Sequence, residues 1–158
     1  DGFRLIGTFN ASSGRAVSGA GDVNGDGFDD LLIGAYGAGA AGQSYVVFGK
    51  AGGFAADFAL DSLDGQNGFR LDGVAPFTGF AASGAGDVNG DGFADVLVSA
   101  YGAAPDGNTY AGSSYVIFGR ADGFAASLSL GDLDGSNGFR LDGVAALDAS
   151  GHALSGAG

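Results

Sequence analysis

Short apolar runs, bounded by glycine and aspartate, recur along the chain. Asp30–Ala35 and Asp95–Ala100 are largely apolar, as buried strands are. Residues 45–48 and 115–118 are β-branched and aromatic and are followed by glycine, which also favours strands. Residues 69–72 alternate between apolar and polar, as a half-exposed strand does. The pattern therefore predicts several short strands.

Two further runs, 16–20 and 81–85, consist mainly of small residues, which suits a place where backbones approach closely. Helix signals are weak, because the chain has no Glu, a single Lys and a Gly every few residues. Only the connections 54–63 and 124–133 are candidates for a helical turn. We therefore predict an all-β chain.

The predicted strands belong to a repeated unit. Two tetrapeptides each occur three times in the same order, with spacings of 65 to 72 residues. Gly-Phe-Arg-Leu begins at Gly2, Gly68 and Gly138, and Ser-Gly-Ala-Gly begins at Ser18, Ser83 and Ser155. Each complete unit contains four strands in the order small-residue, apolar, aromatic and alternating. Such units predict antiparallel β-propeller blades, each burying its faces against its neighbours; a β-sandwich with a duplicated sequence is the alternative.

The phase of the repeat predicts two complete blades with an orphan strand at each end. Residues 1–7 are the last strand of a preceding blade, 14–73 and 79–143 are the blades, and 151–158 are the first strand of a following blade. A closed ring needs about four to eight blades. We therefore expect the remaining blades to come from the same longer chain, or several copies to associate through their terminal strands. Because the chain contains no Met, we expect a processed product or a piece of a longer polypeptide.

Composition and charge narrow the classes of function. All 18 acidic residues are Asp, and against six basic residues they give a net charge of −12, which disfavours nucleic-acid binding. The absence of Cys excludes thiol catalysis, disulfides and cysteine zinc sites. No apolar run approaches the roughly 20 residues of a membrane span. The only histidine, His152, sits at a position that varies between copies, and no base is within reach of a serine by sequence, so we expect no enzyme.

The repeated string Asp-Val-Asn-Gly-Asp-Gly-Phe places oxygen atoms at alternate positions of a loop. Hard cations such as Ca²⁺ take about six to eight oxygen ligands. Glycine at position 6 permits the sharp turn, and three carboxylates within nine residues would repel one another without a cation. We therefore predict two Ca²⁺ sites, one in each complete blade. The predicted ligands are the side chains of Asp22, Asn24, Asp26 and Asp30 with the backbone carbonyl of Phe28, and those of Asp87, Asn89, Asp91 and Asp95 with the carbonyl of Phe93.

Other interpretations of these loops are less consistent with the sequence. An EF-hand needs a bidentate glutamate at position 12, where this chain has Ile33 or Val98 inside an apolar strand. Mg²⁺ prefers to keep several waters. An Asp/Asn/Gly turn without any metal remains the alternative. Two copies with identical spacing, each followed by the same type of strand, favour calcium.

The order of these motifs resembles the FG-GAP repeat, which builds the propeller of integrin α chains and of many bacterial surface and secreted proteins. The resemblance is carried by Gly14, Ala16, 18–27, Asp30, 34–36, Gly42 and 45–49. It implies a seven-bladed propeller with one repeat per blade, a cation between the first and second strands, and the same ten residues as ligands. The near identity of the copies is more typical of a bacterial protein than of an animal integrin.

We expect an extracellular or cell-surface propeller segment that binds or scaffolds rather than catalyses. An extracellular protein or a glycan would be held by the loops at the rim opposite the aspartate loops, which are 36–43, 73–78, 101–113 and 143–150. Tyr36 and Tyr101, at this rim, either stack on a sugar or pack at a blade corner. The alternative functions are a self-assembling surface or filament protein and a non-catalytic, carbohydrate-binding domain of a secreted enzyme.

Two other recurring groups have structural explanations. Arg4, Arg70 and Arg140 share one strand position, and we expect each to cover apolar surface and to pair with a nearby Asp rather than to form a row of ligand-binding side chains. The acidic clusters at 61–64 and 132–134 differ in spacing, which favours turn caps over a second metal site.

Overall fold

The computed structural model describes residues 2–157. Asp1 and Gly158, which belong to the predicted terminal strands 1–7 and 151–158, lie outside the described residues. The strands are β1 Arg4–Ile6, β2 Ala16–Gly21, β3 Asp30–Ala35, β4 Gln43–Val47, β5 Asp57–Ala59, β6 Gly68–Asp72, β7 Thr78–Gly86, β8 Asp95–Ala100, β9 Ser113–Ile117, β10 Ser127–Ser129 and β11 Gly138–Asp142. Short 3₁₀ turns occupy Leu60–Ser62, Pro105–Gly107 and Leu130–Asp132, and no α-helix occurs between residues 2 and 157.

The strands form two equivalent antiparallel blades. The first has the order β2-β3-β4-β6 and the second the order β7-β8-β9-β11. The pairing is repeated residue by residue, since Ile33 lies opposite Tyr45 in the first blade and Val98 opposite Tyr115 in the second. The predicted all-β class and the four-stranded antiparallel blades are confirmed. The seven-bladed ring stays a prediction.

The larger hydrophobic core includes side chains from both blades. Leu32 and Val46 of the first blade and Val98 and Ile117 of the second belong to this one cluster and are almost fully buried. Because side chains alternate along a strand, the next residue, Ile33, belongs instead to a smaller cluster on the other face of the first blade. The first blade thus buries apolar residues on two faces, which explains the continuous apolar run of β3.

The small residues of the inner strands allow neighbouring units to touch through their backbones. The Gly84 amide donates to Ser18 Oγ at 3.3 Å, and the Gly156 amide donates to Ser83 Oγ at 3.2 Å. A Cβ atom on Gly84 would lie 2.6 Å from the carbonyl oxygen of Gly19, so a larger side chain does not fit there. The repeated Ser-Gly dipeptide therefore links each inner segment to the next.

The last copy of this dipeptide lies in a segment that forms no strand. We predicted a first-type strand at 151–158, whereas 153–157 have no strand assignment. In both blades the first strand pairs with the apolar strand that follows it in the chain. No such strand lies beside 153–157 within the described residues.

The two long connections reach back to the preceding unit and are called clasps here. Clasp 1 comprises residues 53–60 and clasp 2 comprises residues 123–130. Instead of a helical turn alone, each contains a short strand that leads into a single 3₁₀ turn. The strand of clasp 1, β5, pairs parallel with β1, and that of clasp 2, β10, pairs parallel with β6.

An aromatic pair fixes each clasp to the strand that it covers. The ring of Phe124 in clasp 2 stacks on Phe69 of β6, with centroids 4.2 Å apart and an angle of 3° between the planes. Phe54 in clasp 1 stacks in the same way on Phe3, at 4.3 Å. Strand pairing and ring stacking by clasp 2 therefore hold the second blade against β6, the outer strand of the first blade.

Candidate functional site

Each aspartate loop joins the first strand of its blade to the second. The first loop leaves β2 at Gly21 and enters β3 at Asp30. Gly25 and Gly27 have φ angles of 76° and 89°, in the left-handed region that glycine adopts without strain. The alternating Asn-Gly-Asp-Gly sequence is thus what this tight turn requires.

The polar side chains of the first loop fold back onto the amides of the same loop. One carboxylate oxygen of Asp22 accepts hydrogen bonds from the amides of Gly25 and Asp26 at 2.7 and 3.0 Å, and the other accepts from Gly27 at 2.9 Å. Asn24 Oδ1 accepts from the Asp26 amide at 3.0 Å, while Asp26 Oδ1 accepts from the Phe28 amide at 2.9 Å. These bonds fix the directions of all three side chains before any ligand is bound.

The second loop repeats this arrangement. Asp87, Asn89 and Asp91 accept hydrogen bonds from the equivalent amides, and each distance agrees with its counterpart to within about 0.1 Å. In both loops the Asn side chain also donates to the second Asp, at 2.9 Å from Asn24 and 2.8 Å from Asn89. The two loops therefore present the same set of oxygen atoms in the same geometry.

A buried carboxylate anchors each loop to the blade. Asp30 is fully buried and accepts hydrogen bonds from the amides of Val23 at 2.9 Å and Gly49 at 2.8 Å, so it joins the loop to the residues that follow β4. Asp95 does the same with the amides of Val88 and Gly119. The role of the two glycine amides is not evident in the sequence, because they lie far along the chain from the loops.

Burial makes the charge on these two carboxylates costly. The pKa of Asp30 is raised from 3.8 to about 6. Burial is the largest cause, the two amide hydrogen bonds oppose the shift, and the negative charges of Asp26 and Asp22 add to it. Burial likewise raises the pKa of Asp95. No Arg or Lys side chain forms a salt bridge with either one in the described part of the chain.

Contacts across the blades bring the two loops together. The Ala94 amide of the second loop donates to the Asp22 carbonyl of the first at 3.0 Å. The Phe93 ring lies so close to Gly25 that an added Cβ atom there would be 2.4 Å from a ring carbon. The aspartate loops of consecutive blades thus form one continuous surface.

The structure places the predicted ligands of each site on one loop, but it does not gather the carboxylates around one point. Between residues 2 and 157, no group of three or more Asp, Glu, His or Cys side chains is arranged to hold a metal ion. The reason is visible in the first loop, where the carboxylates of Asp22 and Asp26 turn towards loop amides. Metal binding by these residues stays a prediction.

A second group of side chains, the rim cluster, lies at the opposite ends of the strands. It consists of Tyr36, Phe77, Phe80, Tyr101, Tyr110 and His152. Tyr101 is central: its ring stacks on Phe77 at 4.8 Å, meets Phe80 edge-on at 4.6 Å and lies 5.6 Å from His152. Tyr110 is 42% exposed. The cluster therefore forms an aromatic surface that solvent still reaches.

The sequence analysis named only Tyr36 and Tyr101 individually, although the predicted rim loops 73–78 and 101–113 also contain Phe77 and Tyr110. Tyr36 and Tyr101 follow the apolar strands, whereas Phe77 and Tyr110 are held in left-handed conformations that the sequence does not signal. One sequence feature could have pointed to the rim cluster: Arg15, Phe80 and His152 occupy equivalent positions in consecutive copies of the repeat. The Arg15 guanidinium lies 4.2 Å from the centre of the Phe80 ring, and the Phe80 and His152 rings are 5.4 Å apart.

The recurring arginines and the acidic clusters have the structural roles that we expected. Arg4 pairs with Asp57 at 3.0 Å, Arg70 with Asp72 at 2.6 Å and Arg140 with Asp142 at 2.9 Å. Asp64 and Asp134 cap turns by accepting amide hydrogen bonds from residues that follow them closely. None of the helices that the structure describes has the length and apolar character needed to cross a membrane.

Comparison with known proteins finds similarity in the repeated unit. The family model described as "FG-GAP repeat" matches residues 13–47 and 79–117, which in each blade contain the aspartate loop and the first three strands. Integrin alpha-2 of Mus musculus is 33% identical over 97 residues, which make up 61% of this chain and 8% of that protein. Integrin alpha pat-2 of Caenorhabditis elegans is 36% identical over 90 residues, 56% of this chain and 7% of that protein. The chain thus spans less than a tenth of the length of either relative. Each blade is thus similar to an FG-GAP repeat over one matched segment.

Proposed function

We propose that the chain is a calcium-binding, extracellular β-propeller segment that acts as an adhesion or recognition module and not as an enzyme. One observation carries the calcium part of this proposal. Two loops of identical sequence pattern hold their oxygen-bearing side chains in the same directions, next to a fully buried carboxylate that has no cationic partner in the described residues. The adhesion part is supported by the similarity to two integrin α chains.

The hydrogen bonds to the buried carboxylate of Asp30 leave it able to coordinate a cation. A carboxylate oxygen has two lone pairs, and each oxygen of Asp30 accepts one amide hydrogen bond. One lone pair on each of these oxygens is therefore free for a cation. Asp22 and Asp26 would supply further negative charge, and Asn24 and the carbonyl of Phe28 would supply neutral oxygens, which is the hard ligand set that Ca²⁺ prefers.

A bound cation would stabilise the folded chain. It would offset the desolvation of Asp30 and Asp95, and it would bind only the folded state, in which the loop oxygens are held on one turn. At calcium concentrations about 100-fold above the dissociation constant, each site would contribute about 2.7 kcal/mol. The melting temperature should therefore rise with calcium and fall with a chelator.

The experiment is a titration of the metal-free chain with calcium, followed by calorimetry and by native mass spectrometry. We expect two bound ions for the wild type, and one for Asp26→Ala and for Asp91→Ala. Asp64→Ala, which removes a turn cap on another loop, is the matched control and should keep two ions. Unchanged stoichiometry in either loop variant would contradict the assignment, as would a melting temperature that does not respond to calcium.

The rim cluster supports the recognition part of the proposal. The exposed ring of Tyr110 and the half-buried ring of Tyr101 offer apolar faces, and both carry hydroxyl groups. Glycans and protein side chains both bind such surfaces, so the ligand class is an extracellular glycan or protein. On a glycan array, Tyr110→Ala and Tyr101→Ala should lose any signal that the wild type gives, whereas Val88→Ala in the second aspartate loop should retain it. A signal that survives both tyrosine variants would place recognition elsewhere.

A further inference from the structure

A short path of hydrogen bonds joins the two buried carboxylates of the aspartate loops. The Val23 amide donates to Asp30 Oδ2 at 2.9 Å, and the Val23 carbonyl accepts from the Arg120 amide at 2.9 Å. The amide of Gly119, the residue before Arg120, donates to Asp95 Oδ1 at 2.9 Å. Val23 is fully buried in the larger hydrophobic core. Asp30 of the first loop and Asp95 of the second are therefore connected through three residues.

A second group of contacts involves the predicted cation ligands directly. Ala94 lies between Phe93 and Asp95, two predicted ligands of the second site. Its amide donates to the carbonyl of Asp22, a predicted ligand of the first site, at 3.0 Å. The Phe93 ring lies against Gly25, whose amide donates to the Asp22 carboxylate at 2.7 Å. Residues that would hold one cation thus contact the turn that would hold the other.

The boundary between the two loops has no spare room. A Cβ atom on Gly119 would lie 2.4 Å from the Ala94 carbonyl oxygen and 2.8 Å from that of Val23. One on Gly21, where the first loop begins, would lie 2.7 Å from the Ala94 Cβ atom. Closely packed groups pass a displacement on to their neighbours. A change in the shape of one loop therefore reaches the other.

We propose that the two cation sites are coupled, so that an ion in either aspartate loop raises the affinity of the other loop for its own ion. The coupling rests on the calcium binding proposed above. An ion fixes the loop that it occupies, and the contacts between the loops transmit this order to the empty one. The second ion then meets a loop that has already lost part of its freedom, so it binds at a lower entropic cost. The effect is reciprocal, because the binding free energies of two linked sites change by the same amount.

Electrostatic repulsion works against this coupling. Three aspartates are predicted to bind each ion, so an ion in one loop weakens the negative potential at the other. Salt screens this effect, with a Debye length of about 8 Å at physiological ionic strength, but it leaves the packing and the hydrogen bonds between the loops in place. The coupling should therefore persist, or strengthen, when the salt concentration rises.

The first test is a calorimetric calcium titration of the wild type, Asp26→Ala and Asp91→Ala, at low and at physiological salt. The coupling factor is the product of the dissociation constants of the two variants, divided by the product of the two wild-type constants. Independent sites give a factor of one, and we expect a factor of about five or more.

Two further substitutions remove contacts between the loops without changing any charge. Phe93→Ala removes the ring that lies against Gly25, and Ala94→Pro removes the amide that donates to Asp22. The same set of titrations is repeated in each of these backgrounds, where the coupling factor should fall towards one. Phe93→Leu should keep part of the coupling. Phe58→Ala, which removes a half-buried ring from clasp 1, is the matched control and should keep all of it. Circular dichroism establishes that each variant is folded.

Hydrogen exchange followed by NMR locates the coupling in the structure. In Asp26→Ala, only the second loop keeps its full set of predicted ligands, and calcium should slow the exchange of the Gly25 and Gly27 amides in the first loop. The Gln66 amide, which donates to Asp64 in a turn outside both loops, is the control and should exchange at the same rate with and without calcium.

Three results would overturn the coupling. The first is a coupling factor of one in the wild-type background, and the second is exchange protection confined to the occupied loop. The third is a coupling factor that neither Phe93→Ala nor Ala94→Pro lowers. In each case a wild type that binds two ions would leave the calcium proposal standing, whereas a wild type that binds no calcium would refute both proposals.

Discussion

Removal of one ring from clasp 2 tests whether the clasps hold the blades together. Phe124 is 8% exposed, and its ring stacks on Phe69 and lies 5.8 Å from Phe48. The Arg120 guanidinium lies 4.7 Å from the centre of the same ring. The substitution Phe124→Ala would remove all of these contacts and leave a cavity between the blades.

The expected loss of unfolding free energy follows from how deeply the ring is buried. Truncation of a well-buried phenylalanine costs about 3–5 kcal/mol. That cost includes the lost stacking on Phe69 and the lost cation–π contact with Arg120. Phe54, the equivalent ring of clasp 1, is only half-buried and stacks on the partly exposed Phe3. We therefore expect Phe124→Ala to lower the free energy of unfolding by about 3–4 kcal/mol and Phe54→Ala to lower it by about 1–2 kcal/mol.

The assay is denaturant unfolding followed by circular dichroism, with calorimetry as a second probe. For a chain of this size, the Phe124→Ala loss corresponds to a fall in melting temperature of about 10 °C. Phe124→Leu, which keeps most of the apolar volume, serves as the conservative control and should recover most of the stability. A loss below about 1 kcal/mol for Phe124→Ala, or an equal loss for both alanine variants, would refute the idea that clasp 2 locks the two blades.

Two other substitutions and one pH profile test the packing and the electrostatics. Gly34→Ala should destabilise the chain by about 1–3 kcal/mol, because the added Cβ would lie 2.1 Å from the Gly79 carbonyl oxygen; Gly19→Ala, with open space around it, is the control. In chelator, the unfolding free energy should fall as pH rises from about 4 to above 6, because folded Asp30, with a pKa of about 6 against an ordinary value of 3.8, holds its proton longer than the unfolded chain does. This carboxylate accounts for up to about 3 kcal/mol of that fall, and Asp30→Asn should flatten the profile; an identical profile in the variant would show that Asp30 is not the group responsible.

The elements that local sequence determines were predicted closely. β3 and β8 begin and end at the predicted residues, because an aspartate that ends a loop and a tyrosine that starts another bound a continuous apolar run. The aspartate loops were also predictable, since the hydrogen bonds of their side chains join residues at most seven positions apart, except those to Gly49 and Gly119. Short-range chemistry therefore determines both the positions of the blades and the form of the candidate site.

What the sequence did not reveal depends on contacts between units. β5 and β10 exist because they lie beside a strand of the preceding unit, 53 to 57 residues away along the chain. Their only local signal is the repeated Gly-Phe-Ala-Ala at 53–56 and 123–126. The rim cluster likewise combines rings from several connections, and two of its members adopt backbone conformations unusual for aromatic residues.

The two buried carboxylates connect the stability of the blade to the proposed function. A neutral acceptor at position 30 would avoid the desolvation that raises the pKa of Asp30, yet an amide has only one oxygen for two amide donors, those of Val23 and Gly49. Aspartate satisfies both donors but brings a charge into the interior, next to two further carboxylates on the same loop. Protonation would remove that charge only below about pH 6, whereas a divalent cation would offset it at neutral pH and leave both hydrogen bonds intact. The same choice of residue occurs in the second blade, which is why we propose a cation as the partner of both carboxylates.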